Sequence, residues 1–456
     1  MNPETTPPTQ LQTAHPLRPA PRRAALCATL FAASLVLGPP PPAGAAVTTL
    51  HSFAGGVGDG RYPQGSLTLS GSTLYGMSYV GGSNNTGTIF SMGTDGSGFQ
   101  LLHSFADAPG DGRGPDGALT LSGPTLYGIS SGGGSSDAGT IFKVGTDGSG
   151  YQLLHNFAGG ASDGADPFGS LTLSGSTLYG MSSDGGSNGF GTIFSMGTDG
   201  SGFQLLRSFA GGAGDGRTPY DSLALSGSTL YGMSFYGGSS DFGTIFSIGT
   251  DGSGFQLLRN FAGGVSDGSF PRGSLTLSGS RLYGMSFRGG SNNLGTIFSI
   301  GTDGSGFQLL HSFTGGAGDG ADPYGSLTLS GSTLYGMSYL GGSNNTGTLF
   351  SIGTDGSSFQ LLESFEGAPS EGAYSIGDLT LSGDAATLYG MTVEGGAWDQ
   401  GTIFAASAVP EPATSTWGLA ALLALALCRP RGARPRGATA PPRRDPTQRS
   451  VPADAL

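Results

Sequence analysis

Several absences narrow the possibilities at once. The chain has only two cysteines, Cys27 and Cys428, and neither lies between Val47 and Phe404, so no disulfide framework holds that body together. Charge is sparse, at 11% of residues, and positive charge is sparser still. Between Val47 and Phe404 there are 9 Lys and Arg against 27 Asp and Glu, a net of −18. So acidic a body is poorly suited to neutralising a phosphate backbone, which argues against nucleic acid. No stretch of it shows a sustained 3.6-residue apolar period with capping residues, so helices are not expected. Gly-x-Ser-x-Gly occurs by letter, as at Gly128 to Gly132, but with no helix expected after it this is not a nucleophile elbow, and a His-Glu-x-x-His pair and a phosphate loop are missing.

What the body has instead is a repeat. Leu-Tyr-Gly recurs with its tyrosine at Tyr75, Tyr127, Tyr179, Tyr231, Tyr283, Tyr335 and Tyr389, five steps of 52 residues and one of 54. A fixed period of this length marks a propeller, solenoid or array. In the second unit, Gly117 to Ser122, Thr125 to Ser130, Gly139 to Val144 and Tyr151 to Phe157 are short runs rich in Leu, Ile, Thr, Phe and Tyr, bounded by Gly, Ser, Asp or Asn. That is the strand signature, and the four are named a, b, c and d. Strands c and d are joined through Thr-Asp-Gly, which supplies the positive φ angles of a tight turn. The seventh unit ends after strand c at Phe404, while Thr49 to Phe53 is a d strand with nothing before it. Pairing these two closes a ring and leaves only short, protected edges. The expected fold is therefore all-β: a seven-bladed β-propeller of four-stranded antiparallel blades over residues 46–404, closed by its N-terminal strand. A β-solenoid is the alternative. The glycine inside strand b, as at Gly76, points to close backbone approach between neighbouring sheets.

The flanks read as sorting signals. Arg18, Arg22 and Arg23 precede an apolar run from Ala24 to Leu37 and then Ala43-Gly44-Ala45, a signal peptide over residues 1–45 with cleavage after Ala45. Residues 405–456 carry Val409-Pro410-Glu411-Pro412, an apolar segment over 417–428 and the arginines Arg429, Arg431, Arg434 and Arg436. The apolar run is short for a spanning helix, and the positive flank fits a cytoplasmic stop. The order of motif, apolar run and Arg cluster resembles a PEP-CTERM sorting signal, with Pro410, Glu411 and Pro412 matching its motif. That resemblance implies an exosortase-type protease as partner, a transient or processed membrane anchor, and residence in the envelope, on the outer surface or in the extracellular matrix of a Gram-negative bacterium.

Within the unit, Gly-Thr-Ile-Phe, Thr-Asp-Gly, Leu-Leu-His-Ser-Phe, Asp-Gly-x-x-Pro, Leu-Tyr-Gly-Met and Gly-Gly follow one another. Together they resemble the GloVer tandem repeat of exported bacterial proteins, from Thr49 to Phe404. The resemblance implies export and a surface location but supplies no activity. The Gly-Gly ending of strand b is similar to kelch blades only in architecture, since the kelch Trp is absent.

Candidate chemistry is thin. His51, His103, His155 and His311 share one d-strand slot with Arg207, Arg259 and Glu363, an exchange expected of an exposed outer strand. Asp59, Asp111, Asp163, Asp215, Asp267 and Asp319 lie in the d–a loops, either as loop caps or as contributors to calcium sites, although one carboxylate per loop falls short of the six to eight oxygens calcium takes. No cofactor or metal is expected on that count. The a–b and c–d turns hardly vary, whereas the b–c and d–a loops do, and both of the latter lie on one face of an up-and-down blade. That variable face presents Tyr62, Phe168, Tyr220, Phe270, Tyr324 and Tyr374 from the d–a side, with Tyr79, Phe235, Tyr236, Phe287, Arg288, Tyr339 and Trp398 from the b–c side. Aromatic and Arg residues suit a binding surface, and rings suit the apolar faces of sugars. The leading expectation is an exported, non-enzymatic propeller that binds extracellular polysaccharide or another surface macromolecule. The alternatives are a glycan-active hydrolase or lyase using Asp184, Glu394 or Asp399, and a passive matrix component.

Overall fold

The computed structural model describes residues 47–106 and 108–408. The signal peptide expected over 1–45 and the motif Pro410-Glu411-Pro412 lie outside the described residues. Within them the chain is all strand and turn. Blade 2 shows the pattern: a Gly112–Ser122, b Thr125–Gly133, c Thr140–Gly145 and d Gln152–Asn156, hydrogen-bonded in that order and antiparallel. The same four-strand order recurs in every blade. The seventh is built from Thr380–Leu381, Thr387–Thr392, Thr402–Ser407 and, from the other end of the body, Val47–Ser52. Register runs from Val47 opposite Ala406 to Ser52 opposite Thr402. The fold is a seven-bladed propeller closed by its N-terminal strand, and the solenoid alternative falls. Val47 and Ala408 both lie at the end of blade 7 that corresponds to the c–d turns, on the face away from the b–c and d–a loops.

Each blade is apolar on both surfaces, because each is sandwiched between two others. Along strand b, Leu74 faces the preceding blade and Tyr75 and Met77 face the next. Tyr75, Met77, Ile89 and Phe105 of blade 1 thus meet Leu119, Leu126, Phe142 and Val144 of blade 2 in one buried cluster. Seven such clusters form the core, including the seam, where Phe53, Tyr389, Met391 and Ile403 meet Leu67, Leu74, Phe90 and Met92.

Gly76 has a different reason from the one expected. Its cross-strand neighbour is Phe90, and a Cβ on Gly76 would lie 2.5 Å from that ring and 3.0 Å from Leu67. The glycine makes room for an aromatic side chain of its own blade, and two sheets do not meet there. Close backbone approach occurs nearer the axis. A Cβ on Gly65 would lie 1.8 Å from the Gly117 carbonyl oxygen, one on Gly117 2.1 Å from that of Gly169, and one on Gly377 2.1 Å from that of Gly65. Just past this ring, Ser170 Oγ accepts from Ala118 N at 2.7 Å and Ser222 Oγ from Ser170 N at 2.7 Å, and the series ends with Ser66 Oγ accepting from Asp378 N at 2.7 Å. A second belt, of strand-a threonine hydroxyls donating to the next blade's leucine carbonyls, includes Thr120 to Leu171 and Thr380 to Leu67.

Because Phe53 is fully buried at the seam, Phe53→Ala should cost about 3–5 kcal/mol. Denaturant unfolding should stay a single transition at a lower midpoint. A separate early transition confined to blade 7 would show that the seam does not couple the ring.

Candidate binding face and axial cavity

The d-strand slot is not a solvated surface. His51 lies flat on Phe99 of the following blade, with centroids 4.0 Å apart and planes 6° apart. His103 stacks on Tyr151, His155 on Phe203 and His311 on Phe359 in the same way. Arg207 and Arg259 sit 3.3 and 3.4 Å from the centroids of Phe255 and Phe307. On its other side each cation or imidazole meets the d–a loop aspartate: His103 Nε2 is 3.1 Å from Asp111, and Arg207 is 2.8 Å from Asp215. The exchange of His and Arg therefore preserves a half-buried inter-blade clamp. Glu363 occupies the slot in the one place where the next blade's c–d turn, and hence its ring, does not exist. The loop aspartates are caps as well. Asp111 accepts from Ala106 N and Gly112 N at 2.9 and 2.8 Å, which leaves these carboxylates committed. Among the described residues, no cluster of three or more metal-ligating side chains occurs.

One of the acidic candidates has its carboxylate in structural use. Asp399 Oδ1 accepts from Gly395 N at 2.9 Å, the role Asp137, Asp241, Asn293 and Asn345 play in their own b–c loops. Glu394 lies opposite Ala373 in a two-residue ladder. Asp184 stands beside Asp166, whose carboxyl is raised first by burial and then by that neighbouring charge.

The variable face is built on backbone held in the left-handed region. Tyr62, Gly114, Asp166, Thr218, Phe270, Asp322 and Tyr374 occupy equivalent positions at φ of 50 to 61°, and each donates its N–H to the preceding blade's b–c loop at 2.7–2.9 Å, as Thr218 does to Phe190. Glycine suits this position, and Gly114 shows that it fits. Side chains there cost roughly 1 kcal/mol each, most of all for Thr and aromatics, and six blades carry them nonetheless.

Several of the predicted rings come together. Phe168 meets Tyr220 at 5.1 Å between centroids, Tyr220 meets Phe235 at 5.8 Å, Tyr324 meets Tyr339 at 5.2 Å and Tyr339 meets Tyr374 at 5.1 Å. Phe287 packs on Tyr324 at 5.0 Å. Arg288 is ion-paired with Asp322, and Tyr236 lies under Arg217 at 4.4 Å. Tyr62 lies beside Arg61, and Tyr79 lines a separate recess of about 350 Å³ with Arg113, Asp137 and Phe168. Trp398 is 64% exposed and lies outside the arc of rings.

The residue that joins the two halves of the arc was not among the candidates. Arg272 lies 4.8, 4.9 and 4.6 Å from the centroids of Tyr220, Phe235 and Tyr324. It stands in the wall of a cavity of about 300 Å³ on the ring axis, lined by all seven blades. The same wall holds Asp116, Asp221 and Asp378. All three carboxyls are pushed up, in each case chiefly by the protein crowded around them. Gly117 N–H and the charge of Arg272 oppose the rise at Asp116, and hydrogen bonds from Ser326 and Ser66 oppose it at Asp378. Asp221 is pushed up to about 7, with Arg272 opposing and Asp378 and Asp116 reinforcing. A signal for this site was present in the repeat. The position after the loop proline, which is Ser375 in the seventh unit, reads Gln64, Asp116, Phe168, Tyr220, Arg272, Tyr324 and Ile376 in successive units, a highly varied column inside an otherwise regular motif.

The model of the Gloeobacter/Verrucomicrobia repeat matches residues 40–238 and again 212–404. The chain belongs to this family. No curated protein matches this Gloeobacter/Verrucomicrobia repeat chain. Among solved structures it is similar to an oligogalacturonate lyase in complex with manganese (14% identity, 82% of this chain and 94% of the other, TM-score 0.50). It is also similar to an oligogalacturonate lyase from Vibrio parahaemolyticus (13% identity, 80% and 94%, TM-score 0.51). At such identities the likeness is one of fold.

The clamps make stability pH-dependent with a definite sign. Burial pushes Asp111, Asp163 and Asp319 up, but the hydrogen bonds and charge of their histidines outweigh it and hold all three below the ordinary 3.8. Their contribution is complete above that unfolded value and is lost as pH falls through the lower folded value. Thermal melts should therefore show an acid limb below about pH 4, and Asp111→Asn should shorten it. Glu363 is displaced the other way, raised by burial and by Glu371 and Glu366, so Glu363→Gln should raise the melting temperature at neutral pH more than in acid. The reverse order would refute the like-charge account.

Proposed function

We propose that this chain is an exported, surface-associated binding propeller that holds extracellular polysaccharide on its variable face without chemically altering it. The observation that carries the reading is the arc of rings from Phe168 through Tyr220, Phe235, Tyr324 and Tyr339 to Tyr374, bridged by Arg272. Half-exposed rings present flat apolar surface at little entropic cost, and a neighbouring cation fixes orientation. Six side chains kept in left-handed backbone on the same face support the reading, because strain of that kind is retained where a surface has a use. Blades of nearly one sequence favour repeated weak contacts along a polymer, which gain from avidity. The export signal and the PEP-CTERM-like segment fit a ligand outside the cell. The non-enzymatic reading is preferred because Asp399 is in structural use, Asp184 has a second carboxylate beside it, and neither these nor Glu394 has a defined acid–base partner.

Affinity electrophoresis of the full chain through gels containing neutral and acidic polysaccharides tests this directly. Retardation should appear with at least one polymer, and Tyr339→Ala or Phe235→Ala should each weaken it by roughly tenfold. Trp398→Ala, outside the arc, should matter less. Shortening of the retained polymer would turn the reading toward a hydrolase or lyase.

A further inference from the structure

The axial cavity gathers donors, acceptors and rings around one volume; a shielded Nε without an acceptor recurs at Arg61, Arg207 and Arg259, but only Arg272 stands in this wall. Arg272 Nε is shielded from solvent without an acceptor among the described residues, and its guanidinium is flanked by rings instead of by a hydrogen-bonded carboxylate. Each carboxylate in the wall has one oxygen anchored by backbone: Asp116 Oδ1 by Gly117 N at 2.7 Å, Asp221 Oδ2 by Gly273 N at 2.9 Å, and Asp378 Oδ1 by Ser326 N. The second oxygens of Asp116 and Asp221 provide acceptors, whereas Asp378 is held further by the side chains of Ser326 and Ser66. Donors, acceptors and aromatic wall thus face one volume of about 300 Å³, the lower end of the range for small-molecule sites.

Asp221 makes the case for use. Six blades place glycine at this position, Gly65, Gly117, Gly169, Gly273, Gly325 and Gly377, where neighbouring backbones nearly touch. Blade 4 places an aspartate there at φ 70°, with its Cα only 2.5 Å from where a Cβ on Gly169 would stand. Neither turn geometry nor packing asks for a side chain at a site that six equivalent units fill with glycine, and burying a carboxylate there is costly.

Resting on the polysaccharide-binding reading above, we propose that the axial cavity is a pocket for one uncharged sugar residue, a terminal or branch unit that drops in while the rest of the polymer lies across the rings. Its hydroxyls, which both donate and accept, satisfy the carboxylates and Arg272 together, and its apolar face lies on Tyr220 or Tyr324. An acidic sugar would meet three carboxylates for one guanidinium. An ammonium would leave the donors of Arg272 without acceptors. Because strands from seven blades wall the cavity, a continuous chain cannot thread across it at depth, which is why an end or a branch is required.

The test is calorimetric titration of the full chain with oligomers of neutral glucan, mannan and galactan, alongside galacturonate and glucosamine oligomers. Three variants accompany it: Asp221→Gly, Arg272→Gln and Tyr339→Ala. One neutral series should bind best, and Asp221→Gly and Arg272→Gln should each weaken it about tenfold or more, as loss of a hydrogen bond to a charged group does. Asp221→Gly restores the residue of the other blades, so it should melt no lower than the parent, and its gain should be larger at high pH because crowding penalises the ionised form. If Asp221→Gly leaves affinity unchanged while Tyr339→Ala weakens it, the pocket is refuted and the face reading stands. If the glucosamine or galacturonate series binds best, the uncharged class is wrong. If no oligomer or polymer binds the folded parent, both readings fall.

Discussion

Everything in this molecule depends on seven backbones meeting at one axis. Where the first residues of strand a converge, the separation between adjacent blades leaves no space for a Cβ at Gly65, Gly117 or Gly377. Hydrogen bonds from one blade's backbone to the next blade's Ser66, Ser170 or Ser222 then hold the circle at that radius. The radius in turn fixes the wedge between neighbouring sheets, and so the size of the buried clusters of Leu, Tyr, Met, Ile and Phe. A domain without disulfides in its body can be held this way because every blade is pinned on both sides. No blade has a free face on which apolar surface would be wasted.

Much of the ring was readable from the chain. The d strand at Thr49 to Phe53 had no partner of its own, the last c strand lacked one, and the register Val47–Ala406 joins them. Reading failed where the reason for a residue sat in another strand or another unit. Gly76 looked like a point of sheet-to-sheet contact until the register set it against Phe90. The d-strand slot looked like tolerant surface because His, Arg and Glu exchange there. Its partner is an aromatic ring 48 residues further on, as from His51 to Phe99 or Arg207 to Phe255. Stepping every unit by that offset would have exposed the pairing, and the absence of such a ring after Glu363 would have explained the odd residue.

The candidate site was half legible for the same reason. Tyr220, Phe235, Tyr324 and Tyr339 announced themselves as rings in variable loops. Arg272, Asp116 and Asp378 did not, because one charged residue in one unit reads as drift until closure brings seven such positions to a common centre. Asp221 was the strongest signal that went unread: a single departure from an otherwise unbroken column of glycine. In a repeat protein the positions that matter for recognition are those where symmetry is broken at some cost, and the left-handed side chains of the variable face obey the same logic on a smaller scale.

The placement of the two described ends has a mechanical consequence. Val47 and Ala408 leave blade 7 side by side on the face away from the cavity, so a load taken up by the variable face and a tether attached at either end pull along the strands of that blade. Such a pull shears a ladder, loading its hydrogen bonds together instead of opening them one after another. The two ends are not equally strong. Val47–Ser52 is an outermost strand held by one ladder, whereas Thr402–Ser407 lies between Val47–Ser52 and Thr387–Thr392 and is gripped on both sides. Tension applied at Ala408 would therefore be shared between two ladders, whereas tension at Val47 would fall on one.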